Sequence, residues 1–235
     1  MVICLSKKIV VFAPHPDDET LGCGGTIARR LSEGYEVFVI VMTDGRNALS
    51  KIFGITDAPT PKEMREIRKR EMLRAMKILG VSSEYIRFLD FEDGKLLYSS
   101  REASNTVYKI INELKPAEIY FPHEKDRNPD HQATNIIVRD CVENLSFSTH
   151  AYKYSLGQRF SRLGSIVAKL FHLVRNHLVY VDISEFVDLK AAAMEEYKSQ
   201  TRIINKGQNR PVVNGYKKRF LKGHEVFYIQ NQKPK

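Results

Sequence analysis

Residues 7–25 read KKIVVFAPHPDDETLGCGG. Ile9 to Phe12 run without a polar interruption, which predicts a buried strand. His15, Asp17, Asp18 and Glu19 follow at once, and ETLGCGGTIARRLSEG then reads as a helix ended by Gly34. Strand, charged turn and helix form the opening of a βα unit. In parallel α/β sheets, ligands bind beyond the carboxyl ends of the strands, so charge at the mouth of this strand marks a candidate site.

The pattern repeats outward. YEVFVIVMTDG is a second buried strand closing on Asp44-Gly45, and PKEMREIRKREMLRAMKILG is a long amphipathic helix with Pro61 near its start and Gly80 at its end. Its charge-rich face reads as solvated. YIRFLDF is a short strand, SREASNTVYKIINELKP a helix with Ser99 or Ser100 as N-cap, AEIYFPH a strand, and HQATNIIVRDCVENL the start of a further helix. This alternation predicts a Rossmann-like, mostly parallel sheet with helices on both faces. VDIS, a helix EFVDLKAAAMEEYKSQ and a strand HEVFYIQ complete it. With no linker or internal repeat, residues 1–235 read as a single domain. Residues 151–180 mix basic and apolar residues. They read as a core-packing helix or irregular excursion, or as a basic amphipathic helix on a membrane surface, with 156–178 as the peripheral contact.

Composition sets bounds. The chain has 235 residues, 43% of them hydrophobic and 28% charged, which suits one globular core. No apolar stretch approaches the ~20 residues of a membrane span, and the N-terminus reads as the first strand rather than a signal peptide. Cys4, Cys23 and Cys141 form no CxxC pair, so a reduced, cytoplasmic protein with three small buried thiols is the expectation. The net charge of +9 favours anionic ligands. Zinc-finger, RNP and helix-turn-helix patterns are missing, so no nucleic-acid partner is expected.

PHPDDE, TDGR and PHEKDRNPDH all fall at strand ends, which gathers them on one sheet edge. His15 and Asp18 carry ligand types suited to Zn²⁺, and a catalytic zinc takes three protein ligands and one open position. His131, at the start of a helix after another strand end, is well placed as the third. Asp17 then remains beside the metal as a carboxylate able to take a proton from water. The competing account of Asp17, Asp18 and Glu19 is an acidic first turn complementing a helix dipole. That account leaves His15 between two prolines, and the second His cluster, unexplained. Gly22 to Gly25 fit neither GxGxxG nor a Walker pattern and read as close helix–sheet packing. Arg46 in TDGR is a candidate contact for a phosphate, carboxylate or sugar hydroxyl.

HPDDETLGCGG, TDG and the later PDHQAT resemble the LmbE/PIG-L family of metal-dependent N-acetylglucosaminyl deacetylases and N-acyl amide hydrolases. The likeness covers roughly residues 8–145 and returns in VDIS, KSQ and HEVFYI. It implies a Rossmann-like fold, zinc held by His15, Asp18 and His131, Asp17 as general base, and Asp130 tuning a ligating histidine. Family members usually read HPDH where this chain reads NPDH. The first His of that motif is thought to stabilise the oxyanion or protonate the leaving amine. Asn128 donates a hydrogen bond but cannot act as an acid, so Asp17 or His123 is left to supply the proton.

The resemblance implies removal of the N-acetyl group from an N-acetylglucosamine-type substrate, giving acetate and a free amine. The substrate is a small amino sugar, with an anionic glycoconjugate, sugar nucleotide or lipid-linked sugar favoured by the charge. An amidase of a thiol conjugate or antibiotic intermediate is the alternative with the same metal site, and a non-catalytic binding protein is the remote one. Another first-row divalent ion in place of zinc, and assembly into a homo-oligomer, stay open.

Overall fold

The computed structural model describes residues 7–47, 59–156, 178–205, 208–211 and 219–231. Strands β1 (Lys8–Ala13), β2 (Glu36–Thr43), β3 (Ile86–Phe91), β4 (Glu118–Pro122) and β5 (His150–Tyr154) are mutually parallel in the order β3-β2-β1-β4-β5. β9 (His224–Gln230) pairs antiparallel with β5, and β6 (Leu178–Asp182) pairs antiparallel with β9, completing a sheet of seven. A small ribbon of β7 (Arg202–Asn205) and β8 (Gln208–Pro211) stands apart.

The pleat divides the core. Ile9, Val11, Val39 and Val41 face one side with α1 (Asp18–Ser32), α2 (Pro61–Leu79) and α5 (Val187–Glu195), through Ile27, Met72, Met76 and Met194. Val10, Phe12, Ile40 and Met42 face the other with α3 (Ser100–Leu114) and α4 (Pro129–Glu143), through Val107, Ile111, Ile137 and Val138. Residues one apart on a strand point to opposite faces, so uninterrupted apolar runs are what a sheet covered on both sides requires.

The chain leaves β1 for β2 and β3 on one side and reaches β4 and β5 on the other. The β1/β4 junction is therefore the topological switch point, where open α/β sheets form a crevice. Thr43, at the end of β2, ties the loop after β1 to the sheet: its N and Oγ1 both donate to Pro14 O, at 2.9 and 2.8 Å.

Helix boundaries follow the expected signals. A capping box joins Thr60 and Glu63 at the start of α2, and Gly80 (φ 90°) ends it. Two expectations are corrected. Residues 150–154 form β5, a five-residue strand too short for its periodicity to stand out, and residues 178–182 form β6, which ends on the Val181 and Asp182 of VDIS. The helix expected over EFVDLKAAAMEEYKSQ is broken after Glu195, with a last short turn at Lys198–Thr201. The membrane-contact segment 156–178 lies almost wholly outside the described residues; Leu156 itself is buried in the core. Among the described residues no helix is long and apolar enough to cross a membrane. Cys23 and Cys141 are buried and unpaired.

Gly22 meets the expectation of close packing: a Cβ there would lie 2.6 Å from Tyr154 Cδ2. The ring cannot swing aside, because Tyr154 Oη donates to Phe12 O at 2.8 Å. Gly22→Ala should therefore cost about 1–3 kcal/mol by overpacking. Urea unfolding of wild type and variant checks it.

Candidate metal centre

β1 delivers His15 and Asp18 to the crevice, and α4, following β4, delivers His131. The three side chains are buried, at 6%, 4% and 5% exposure. Asp18 Oδ2 lies 3.2 Å from His15 Nδ1 and 3.1 Å from His131 Nε2, and the two nitrogens are 3.3 Å apart. Three atoms bound at 2.0–2.1 Å around a tetrahedral centre stand roughly 3.3 Å from one another. The triangle thus fits a metal by its spacing as well as its donor chemistry.

Each imidazole turns its other nitrogen to carboxylates. His15 Nε2 is 3.2 Å from Asp130 Oδ2 and 3.3 Å from Asp93 Oδ1. His131 Nδ1 is 3.1 Å from Asp126 Oδ2. This is how proteins orient ligating histidines. Asp130 is itself fixed by Gly94 N at 2.6 Å and Leu96 N at 3.2 Å. It therefore serves His15, 115 residues away, while its sequence neighbour His131 is served by Asp126.

The charges are tightly coupled. Burial opposes the charge on both imidazoles, yet hydrogen bonds accepted by Asp130, Asp18 and Asp93 raise the His15 pKa, and Asp18 and Asp126 raise that of His131 to about 9. Burial likewise opposes ionisation of Asp18, but the His131 charge and hydrogen bond hold its carboxyl far below the usual range. Against its own burial, Asp93 is held at about 2 by His15. Four buried carboxylates face two imidazoles, an excess of negative charge that a divalent cation complements.

Asp17 sits on the strained N-cap of α1, with φ 134°, a conformation that costs on the order of 1–3 kcal/mol for a non-glycine residue. Two clamps hold it. Glu19 Oε2 accepts from Asp17 N at 3.1 Å, and Arg68 Nη2 donates to Pro16 O at 2.8 Å and to Asp17 Oδ1 at 3.1 Å. Burial pushes the Asp17 carboxyl up to about 7, with the Arg68 charge pulling against it.

Of the other expected residues, Asn128 is half-buried at the N-cap of α4, its Oδ1 accepting from Asp130 N at 2.8 Å. His123 is buried at the end of β4; its Nδ1 accepts from Lys125 N at 3.1 Å, which puts the neutral ring's proton on Nε2. Arg46 is gathered not onto the triangle but onto Asp44, its Nε donating to Oδ2 at 2.6 Å. Arg68, Asp93 and Asp126 escape the sequence reading. For Arg68 a signal existed: it falls in the buried stripe Met64, Met72, Ala75, Met76 and Leu79 of α2, so that face is not wholly solvated as expected.

Comparison with known proteins identifies the family. Residues 10–142 match the PIG-L family, described as GlcNAc-PI de-N-acetylase. The chain is 29% identical over 200 residues to the diacetylchitobiose deacetylase of Thermococcus kodakarensis, covering 83% of this chain and 70% of that protein. It is 26% identical over 206 residues to a probable N-acetyl-α-D-glucosaminyl L-malate deacetylase 2 of Bacillus cereus, covering 85% and 86%. In fold it is similar to the N,N'-diacetylchitobiose deacetylase of Pyrococcus horikoshii (TM-score 0.69, 24% identity, 96% of this chain and 84% of that one).

The clamp on Asp17 rests on Glu19, which is fully buried. Glu19 Oε1 accepts from Thr20 Oγ1 at 2.8 Å and from Tyr197 Oη, and Oε2 takes the Asp17 amide. Glu19→Ala leaves the Asp17 amide and one hydroxyl without an acceptor, since Thr20 Oγ1 and Tyr197 Oη lie 3.1 Å apart and can bond each other, and should cost at least about 2 kcal/mol. Glu19→Gln, which keeps the Oε1 acceptor, should cost clearly less; equilibrium unfolding of both variants separates them.

Proposed function

The chain belongs to the PIG-L family of de-N-acetylases and is thus a hydrolase of N-acetyl groups on N-acetylglucosamine-type substrates, and from this premise we propose that it works with zinc held by His15, Asp18 and His131. The observation that carries the proposal is the buried triangle of Asp18 Oδ2, His15 Nδ1 and His131 Nε2, with edges of 3.1, 3.2 and 3.3 Å. When bound, zinc supplies a Lewis acid that polarises the acetamide carbonyl and lowers the pKa of water toward ~7. Other first-row divalent ions suit the same N/O donors.

The chain's own residues carry the rest. Asp17 takes the proton of the attacking water. Its Oδ1 is held by Arg68, so Oδ2 is the oxygen that acts. The water oxygen joins the carbonyl carbon. Asn128, with Oδ1 engaged by Asp130 N, offers Nδ2 to the developing oxyanion. The C–N bond then breaks, and the proton passes from Asp17 to the departing nitrogen, giving acetate and the free amine. Asp130, Asp93 and Asp126 keep the histidines in the ligating tautomers. Arg46 and His123 border the sugar as hydrogen-bond donors.

Elemental analysis should find about one zinc per chain, lost in the His15→Ala/His131→Ala double variant. Asp17→Asn should keep the metal and lower acetate release from N-acetylated sugars by about 10²–10⁴-fold, the range of general base catalysis. Near-normal turnover in that variant would remove Asp17 from its role. Absence of tight metal in the wild type, even after zinc is supplied, would overturn the proposal as a whole.

A further inference from the structure

After Glu195 the chain leaves α5 and turns through residues 196–199, and this turn bonds to both α1 and α2. Tyr197 Oη donates to Glu19 Oε1 on α1 and lies 3.1 Å from Thr20 Oγ1. Ser199 donates to Glu71 of α2 twice, from N at 2.8 Å and from Oγ at 2.6 Å. Glu196 Oε2 accepts from Arg74 Nε, further along α2, at 2.7 Å. Gln200 stiffens the turn, its N donating to Tyr197 O at 3.1 Å and its Nε2 to Ser199 Oγ at 2.8 Å. Glu19, Glu71, Tyr197 and Ser199 are all buried.

Both glutamates lead to the same residue. Glu19 Oε2 accepts from Asp17 N at 3.1 Å. Glu71 follows Arg68 by three residues on α2, about 4.5 Å along the axis, and Arg68 Nη2 donates to Asp17 Oδ1 at 3.1 Å and to Pro16 O at 2.8 Å. Asp17 is therefore gripped at its amide through one glutamate and at its carboxylate through the helix that the other anchors. Its φ of 134° makes such a grip necessary. A strained backbone persists only where its surroundings over-determine it. Once a clamp loosens, relief of the strain carries the carboxylate away from its place beside the metal ligands.

We propose that Tyr197 and Ser199 are positioning residues for the hydrolysis, holding Asp17 in its strained conformation, Tyr197 through Glu19 and Ser199 through Glu71 and Arg68. The proposal rests on the reading of Asp17 as the base. Buried glutamates are a costly way to fill space, since apolar residues of similar volume pack at no desolvation penalty. Here two of them are each answered by a hydroxyl from one turn, and each is linked to one aspartate. A satisfied polar network of this kind fixes a single arrangement where apolar packing tolerates several. The turn lies more than 175 residues beyond Asp17 in the chain, so the C-terminal part of the fold sets the geometry of the first loop.

The test uses the zinc-loaded full chain with N-acetylglucosamine as the probe. It reads kcat and KM from acetate release, zinc content, and exchange of the Asp17 amide in deuterated water by NMR. Tyr197→Phe keeps the ring and removes one hydroxyl, and Ser199→Ala removes the other. Each should lower kcat by about 10- to 100-fold, the scale of a small misplacement at the reacting centre, while KM and zinc content stay near those of the wild type. Tyr197→Phe should also speed exchange of the Asp17 amide by about tenfold, since its acceptor is no longer fixed. In an Asp17→Asn background neither substitution should lower kcat further, because residues that act through one another are non-additive. An equal loss in both backgrounds would show a general structural role and overturn the proposal. Loss of zinc from either variant would do the same, placing the effect on the metal ligands. Wild-type exchange of the Asp17 amide in Tyr197→Phe overturns it whatever the turnover. Near-normal turnover in Asp17→Asn alone would remove the base assignment and this proposal with it, whereas additivity against a disabled Asp17→Asn removes this proposal alone.

Discussion

Asp18 Oδ2 lies within 3.2 Å of two imidazole nitrogens that come from residues 116 apart in the chain. Everything around that oxygen works to keep the meeting possible. Bringing carboxylates and imidazoles out of water costs several kcal/mol per ion unless each charge is paired and hydrogen-bonded. Here each remaining nitrogen faces an aspartate, and Asp130 is in turn fixed by two backbone amides. The parallel sheet supplies the geometry at no extra expense. At the β1/β4 switch point the chain leaves in both directions, so a crevice forms where no crossover connection covers it.

Holding α1 in place is the second demand. Its first turn carries both Asp17 and Asp18, and its glycines bring it close to Tyr154. From behind, Glu225 on β9 accepts from Gly25 N, Thr26 N and Thr26 Oγ1, at 3.0, 2.8 and 2.6 Å. Lys190 of α5, equally buried, donates to Glu225 at 2.6 Å and to Leu21 O at 2.9 Å. An isolated charge at either position would be expensive, but as a pair bonded to backbone they fix one helix position. Glu71 of α2 extends the arrangement by taking the N and Oγ of Ser199 at 2.8 and 2.6 Å. The antiparallel strand and the C-terminal helices thus act as a brace for the first helix rather than as a further site.

What the sequence made legible follows from which signals are local. β1 and β2 were readable because Ile9–Phe12 and Val37–Met42 are apolar on both faces. The capping box of α2 and the Gly80 stop were readable because they are written in adjacent residues. The HPDD and PDH clusters stood out as charge at strand ends. β5, in contrast, has only five residues, with a mixed burial pattern that owes its place to pairing with β4 and β9. Arg68 acquires its meaning from Gly45, Asp17 and Pro16, 23, 51 and 52 residues away, and Asp93 from His15 on another strand end, while Asp126 faces His131 across the start of α4, so composition alone ranks them as ordinary loop and helix charges. Arg68 is the instructive case: a guanidinium on the apolar stripe of an amphipathic helix violates the pattern, and it does so because its partners are Pro16 O, Asp17 and Gly45 O.

Asn128 departs from the family's usual histidine, and its surroundings give a physical reason why an asparagine is stable there. The position is the N-cap of α4, with an extended backbone (φ −74°, ψ 129°) and a side chain that accepts from Asp130 N. Asparagine is among the best residues for that task, satisfying one of the orphan amides of the helix start. The same bond steadies the turn that presents Asp130 to His15 and His131 to Asp18. An amide cannot release a proton, and in the mechanism proposed above the proton that Asp17 removes from water is the one returned to the amine. A carboxylate held by Arg68 on one oxygen and pushed by burial up to about 7 has an affinity for that proton suited to both steps. In the proposed mechanism the substitution at 128 and the clamp on Asp17 thus belong to one arrangement: the cap steadies the turn that carries Asp130 and His131, and the acid chemistry is assigned to Asp17.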